Sequence, residues 1–276
     1  MMKFAVNYST AAKELLKKKK IDVDLFKCPD WAPVVNAASA LRPVYIHFDI
    51  GVGLGQVDHL DQGQILDLVQ RTATPHLNCH LNAPANYSPQ NTSDRIHLRD
   101  TWLKELEALH SLAGDLPIAA ENLPLQPYRS GFNNSADPEL IDSVIRQSGC
   151  ELLLDLSHAR ITAFNLGISA EEYIRGLPTD LLRELHITGL KLYHGFLQDH
   201  FELTDEDFAY AAWAQAQIIQ GAWRTPEIVA LEYGGVGEVF GWRTDKARLL
   251  EQVPRLMDMF GSKSQLVTPV HQLSLE

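Results

Sequence analysis

The chain has 276 residues, 45% of them apolar and 21% charged, and a net charge of −11. That is ample material for a large core, and the acidity argues against a sequence-independent grip on phosphates, so no nucleic acid partner is expected. Cys28, Cys79 and Cys150 are too few and too scattered for a disulfide framework or a Cys-rich zinc site, and no stretch has the length of a membrane span, so a reduced, cytoplasmic setting is expected.

Strand-like and helix-like segments alternate from the start. "KFAVNYS" (3–9) precedes a helical "TAAKELLKKKK", whose lysines at 17–20 read as the solvated, cationic end of that helix. "VDLFKCP" (23–29) precedes "WAPVVNAASAL", and "PVYIHFDIG" (43–51) precedes "DHLDQGQILDLVQRT", with Asp58 placed to cap it. "HLNCHLNA" (76–83) leads through a polar loop to "RIHLRDTWLKELEALHSLA". "PIAAENLP" (117–124) leads through a Gly-, Asn- and Ser-rich loop to "DPELIDSVIRQSG". "ELLLDLSH" (151–158) precedes "SAEEYIRGL". "LRELHITGL" (182–190) leads through a loop to "TDEDFAYAAWAQAQIIQGA", where Thr204 and Asp207 make a capping-box-like start. "IVALEYGG" (228–235) precedes "TDKARLLEQVPRLMDMF".

Eight strand–helix units imply an α/β fold with a parallel sheet, closed into a single (β/α)8 TIM barrel over residues 1–276. An open doubly wound sheet is the alternative, and the lack of a G-x-G-x-x-G after the first strand weakens it.

Polar residues of metal-binding type fall at the C-terminal ends of six predicted strands. His47 and Asp49 share a face, as do His80 and Asn82; Glu121, Asp155 with His158, His186 and Glu232 follow. Each has a bland explanation alone. A single His in a strand is usually a hydrogen-bonded core residue, Glu121 could pair with an Arg, and Asp155 could cap the next helix. Four imidazoles and three carboxylates at one barrel rim are harder to dismiss together, and exceed what one tetrahedral ion needs. Mixed His and carboxylate sets suit Fe, Zn or Mn.

The loop after the seventh predicted strand adds His194, Gln198, Asp199 and His200, of which Asp199 and His200 are read as completing the metal shell. His59, His76, His97, His110 and His271 are read as structural or surface residues. Cys79, next to His80, should face the helices; Cys28 sits at the rim with no base beside it and stays unassigned. "YGGVGE" (233–238) is a weak phosphate-site signal.

The runs "GCELLLDLSHARITAFNLG" (149–167), "ELHITG" (184–189), "DHFELTDEDF" (199–208) and "ALEYGG" (230–235) resemble the multinuclear non-haem iron-dependent oxidative enzymes, a family within the xylose-isomerase-like barrels that also include endonuclease IV. The resemblance implies two or three Fe ions at the barrel mouth, with Zn or Mn as the other candidates. It carries the ligand role to His47, His80, Glu121, Asp155, His158, His186, His200 and Glu232. His158 departs from the Asn-rich version of its segment in many relatives and looks closer to endonuclease IV. An acidic ligand two residues before the His is common in the family; here that position is Gln198, with Asp199 displaced by one.

By the same resemblance the chain would oxidise a cysteine-containing peptide or a small thiol with dioxygen, with a leader-peptide-binding protein as a potential partner and no acid–base triad of its own. Two rival chemistries use such barrels. A divalent-metal sugar isomerase or epimerase would want more carboxylates and a catalytic Lys, for which Lys191 is the nearby candidate. An endonuclease IV-like phosphodiesterase fits "DLSH" but not the acidic charge. A binding barrel with an incomplete metal site is the last alternative.

Overall fold

The computed structural model describes residues 2–126 and 136–261; the Gly-, Asn- and Ser-rich stretch and the tail with His271 lie outside them. In chain order the first elements are β1 (Lys3–Asn7), α1 (Thr10–Lys17), β2 (Leu25–Cys28), α2 (Ala32–Ser39), β3 (Val44–Ile46) and β4 (Gly51–Val52). Then come α3 (Gln62–Arg71), β5 (Leu77–Leu81), α4 (Thr92–Ala113), β6 (Ile118–Glu121), α5 (Pro138–Ser148), β7 (Glu151–Asp155), α6 (Leu156–Leu166) and α7 (Ala170–Arg175). The remainder is β8 (Leu182–Ile187), β9 (Gly189–Tyr193), β10 (Phe196–Phe201), α8 (Asp205–Ile219), β11 (Ile228–Leu231), α9 (Gly237–Phe240) and α10 (Lys246–Phe260).

Nine strands form one parallel sheet in the order β3-β2-β1-β11-β8-β7-β6-β5-β4, and β9 pairs antiparallel with β10 as a separate hairpin. The strand count differs from the eight expected because the predicted third strand is two short ones, β3 and β4, at opposite ends of that order. Between them, residues 47–50 leave the ladder. The Asn78 side chain on β5 takes over there: its Oδ1 accepts from Phe48 N at 2.7 Å and its Nδ2 donates to Phe48 O at 2.9 Å. His80 N donates to Ile50 O at 2.8 Å, and Ile46 N to Thr74 Oγ1 at 2.9 Å.

Side-chain alternation sorts the strands into two faces. Ala5, Leu25, Tyr45, Ile228 and Ala230 form a small cluster on the inner face, while Phe4, Val6, Phe26, Val229 and Leu231 join the large core packed against the helices. Two residues further along the inner face, the apolar cluster gives way to Lys27 and Glu232, both buried.

Helix starts follow local side-chain chemistry. Thr204 and Asp207 form the capping box read from the sequence. Asp137, with Pro138 after it, caps α5, whose end is Gly149 in the left-handed region. Asp58 does not cap α3; it lies in a short 3-10 turn, and Asp61 accepts from Gln64 N instead. The predicted strand 151–158 is also shorter than expected, because Asp155 ends it and caps α6 at once. Leu156 to Ala163 are all buried, so α6 lacks the amphipathic period that would reveal a helix.

Candidate metal centre

A cavity of about 780 Å³ opens at the C-terminal ends of the strands, lined among others by His47, His80, Glu121, His158, Asp199, His200 and Glu232. Asp155 and His186 lie beneath it, fully buried. All nine side chains singled out in the sequence therefore converge on one region. Six of them fall into three overlapping groups whose ligand atoms lie within 4.8 Å of one another: His47, Glu121 and His186; Glu121, Asp155 and His158; Asp155, His186 and Glu232; His80, Asp199 and His200 belong to none of the three.

In the first region His47 Nε2 and His80 Nε2 face each other at 3.1 Å, and Glu121 Oε2 lies 3.5 Å from the former and 3.2 Å from the latter. Donor atoms held at ~2.0–2.2 Å from one ion stand ~3.0–3.5 Å apart, so this triangle has the edge lengths of a coordination shell. Glu121 Oε2, Asp155 Oδ2 and His186 Nδ1 are buried and accept or donate no hydrogen bond. Such orphaned atoms, one from each of three neighbouring strands, fit a divalent cation.

The tautomers of three histidines are set by groups behind them. His158 Nδ1 donates to the Asn122 carbonyl at 2.9 Å, which turns Nε2 toward Asp199 Oδ2 at 2.9 Å and Asp155 Oδ2 at 3.6 Å. His200 Nδ1 likewise donates to the Glu232 carbonyl at 3.0 Å. His186 Nε2 meets Glu184 Oε1 at 2.7 Å, leaving Nδ1 toward Glu232 Oε1 at 3.2 Å. A ring nitrogen that gives its proton to a fixed oxygen offers the other nitrogen as a lone pair.

Glu184 was not anticipated. It sits fully buried below the cavity and also accepts from Tyr45 Oη at 2.8 Å and meets His76 Nε2 at 2.5 Å. His76 is thus structural, as read from its position. The signal for Glu184 was present: it lies two residues before His186 and so shares its inward face. Asn122 ties two strand ends together, its Oδ1 accepting from Asp155 N at 2.9 Å and its Nδ2 donating to Asp155 O at 3.1 Å.

Lys27 is the second residue missed. Lys191 is half exposed on the hairpin and lies near Glu202, whereas Lys27 is buried, lines the cavity and pairs with Glu232. Spacing would have found it too, since Lys27 follows Leu25 at an interval of two on the inner face.

Asp199 and His200 are adjacent in the sequence, and in a regular strand they would face opposite ways. The hairpin register shifts between Gln198 and Phe201, and His200 takes φ +60°, so both side chains reach the cavity. Gly189 anchors this arrangement: a Cβ there would stand 1.9 Å from the Glu202 carbonyl oxygen. Arg243 donates to the Asp199 carbonyl at 2.9 Å and stacks on Phe201 with its guanidinium carbon 4.6 Å from the ring centre.

The electrostatics follow from burial and crowding. Burial opposes the charge on Glu121, but His80, His158 and His186 outweigh it and hold the carboxyl well below the usual range. Burial likewise opposes His158, yet Asp155, Asp199 and Glu121 raise it well above an ordinary histidine. His80 is raised against burial by Glu121. His47 is lowered well below its usual value by burial and Lys27. Burial brings Lys27 down to about 8, with Glu184, Glu121 and Asp155 resisting. Cys28 lines the cavity, but burial pushes its thiol up to about 12, a poor nucleophile. Cys79 belongs to the outer core, facing away from the site. The neighbouring carboxylates thus favour positive charge at His80 and His158, and a divalent ion bound there would compete with protons for the same nitrogens.

Residues 110–221 match the family model described as RiPP precursor modification enzyme MbnB/TglH/ChrH. A UPF0276 protein of Acaryochloris marina is 24% identical over 217 residues, covering 75% of this chain and 72% of that protein. In fold the chain is similar to a D-psicose 3-epimerase solved in the presence of D-fructose, at TM-score 0.58 and 11% identity, over 94% of this chain and 99% of that one. It is also similar to endonuclease IV from Thermus thermophilus, at TM-score 0.52 and 12% identity, over 92% and 99% of the two chains. The resemblance read from the sequence is borne out: the chain is similar to that enzyme family, to UPF0276 proteins and, in fold, to xylose isomerase-like TIM barrels. Among the described residues no helix is long and apolar enough to cross a membrane.

Proposed function

We propose that this chain, similar over residues 110–221 to the RiPP-modifying MbnB/TglH/ChrH enzymes, is a multinuclear iron enzyme that oxidises a cysteine-containing peptide or small thiol with dioxygen. The observation that carries the reading is the set of three overlapping ligand groups with Glu121, Asp155 and His186 shared between them. Shared carboxylates suit ions held close together, and one His or carboxylate set for each ion leaves open positions for substrate. His47, His80 and Glu121 would hold one ion, Asp155, His158 and Asp199 a second, with His186 and His200 completing the shell and Glu232 belonging to the third group.

When bound, the ions supply the redox chemistry and lower the pKa of a substrate thiol. The chain's own residues do the rest. Asn122, Glu184 and the Glu232 carbonyl fix which imidazole nitrogen faces the cavity. Arg243 holds the hairpin strand that carries Asp199 and His200. The same reading takes β3 and β4 as one interrupted strand, which gives a single closed (β/α)8 barrel, and places the protein in a reducing cytoplasm, in keeping with three free cysteines. A separate leader-peptide-binding protein would deliver a peptide substrate.

An epimerase reading has one specific point in its favour, the buried cavity lysine Lys27 together with the fold likeness. Elemental analysis of anaerobically purified protein, with Mössbauer or EPR spectroscopy, separates the two. Coupled iron at two or more ions per chain is the expected result. Zinc or manganese without iron moves the assignment to sugar or phosphoester chemistry. No metal after supply of Fe(II), Zn(II) and Mn(II) overturns it.

A further inference from the structure

Lys27 lies on the inner face of β2, is 5% exposed, and forms an ion pair with Glu232 through Oε1. The same oxygen stands 3.2 Å from His186 Nδ1. It is therefore the atom by which Glu232 would join Asp155 and His186 around an ion. Among the three ligand groups, Asp155 and His186 each belong to two, and Glu121 to two. The members found in one group alone are His47, His158 and Glu232. Each group thus has one member of its own, and in the third that member is Glu232, the carboxylate paired with Lys27.

We propose that the Lys27 ammonium stands in for a third metal ion beside Glu232, so that this chain holds two ions tightly rather than three. The inference rests on the metal-centre reading above and specifies its nuclearity. An ammonium neutralises the Glu232 carboxylate with one charge and three donors, and its stem is fixed by the strand. A divalent ion entering the same position would have to displace a buried like charge, whereas the positions near His47 and His158 lie among carboxylates and imidazoles. Burying two cations side by side is costly where the dielectric is low. The design would leave one side of the cluster closed by protein, and direct substrate to the other two ions.

The test counts ions. Wild-type protein, Lys27→Met and Glu232→Gln are stripped of metal, reconstituted anaerobically with excess Fe(II), desalted and analysed by plasma mass spectrometry, with Zn(II) as a redox-silent repeat. Wild type should retain two ions per chain and Lys27→Met three, a 1.5-fold rise. Glu232→Gln should retain two, because Glu232 is engaged by Lys27 and not by metal. Three ions in wild type, an unchanged count in Lys27→Met, or a lower count in Glu232→Gln would overturn the inference. Should circular dichroism show Lys27→Met unfolded, the other two counts decide alone. No ions in folded wild type would instead remove the metal-centre reading itself.

Discussion

Glu184 shows how much of this site is held from behind. Its two carboxylate oxygens serve Tyr45, His76 and His186 at once, all buried. Replacing it with Ala strips three polar groups of their partner and should cost about 3–5 kcal/mol, the range for breaking a buried ionic network. Chemical denaturation of the metal-free protein at neutral pH would measure this. Burial opposes the Glu184 charge, yet His186 and His76 hold the carboxyl well below its ordinary 4.5. A depressed carboxylate stabilises the fold fully above its unfolded value, and that contribution is lost as pH falls through the lower folded one. The gap between wild type and Glu184→Gln should therefore be widest above pH 4.5 and narrow below it; a gap that grows on acidification would contradict the ionic role. The sequence showed Glu184 in register with His186, but only partners elsewhere in the fold explain why a carboxylate is tolerated there.

At the scale of the element, α6 is decisive. Asp155 ends β7 and accepts from His158 N at 2.7 Å through Oδ1, while Oδ2 stays unpaired toward the cavity. One carboxylate thus caps a helix with one oxygen and keeps the other for the ligand role proposed above. Asp155→Asn should keep the cap, since Asn and Asp cap about equally, and melt within ~1 kcal/mol of wild type while binding one fewer ion per chain. Loss of the fold along with the ion would show that the negative charge is structural. The missed start of α6 and the unexpected hairpin β9–β10 have one cause. Neither segment shows a clean period: α6 is buried on all sides, and the hairpin is bulged at the residues that matter.

For the whole molecule the critical joint is the break between β3 and β4. Ladder hydrogen bonds give way there to the Asn78 amide, which pairs with both polar groups of the Phe48 backbone. Asn78→Ala leaves a buried N–H and C=O unpaired and should destabilise by about 2–4 kcal/mol. Hydrogen exchange at residues 44–52 should rise more than elsewhere; uniform protection across the sheet would mean that the ladder, not Asn78, holds the joint. The break also sets His47 beside His80 of β5, so the stability of this seam and the geometry of the site are linked.

Much of this was legible in the sequence. The alternation of strands and helices, and His, Asp and Glu recurring at predicted strand ends, follow from rules of period two and of capping that operate within a few residues. Seven of the nine candidate residues could be named because a parallel sheet puts every such end on one side; Asp199 and His200 came from the loop after one of them. What tertiary structure alone decided is which atoms meet. Tyr45 and His76, which meet Glu184, and Glu232, which pairs with Lys27, are far away in the chain, and residues 47–50 leave the ladder where the Asn78 side chain receives them. Local pattern fixes which face a residue takes, but the distance between two faces exists only once the sheet has curled.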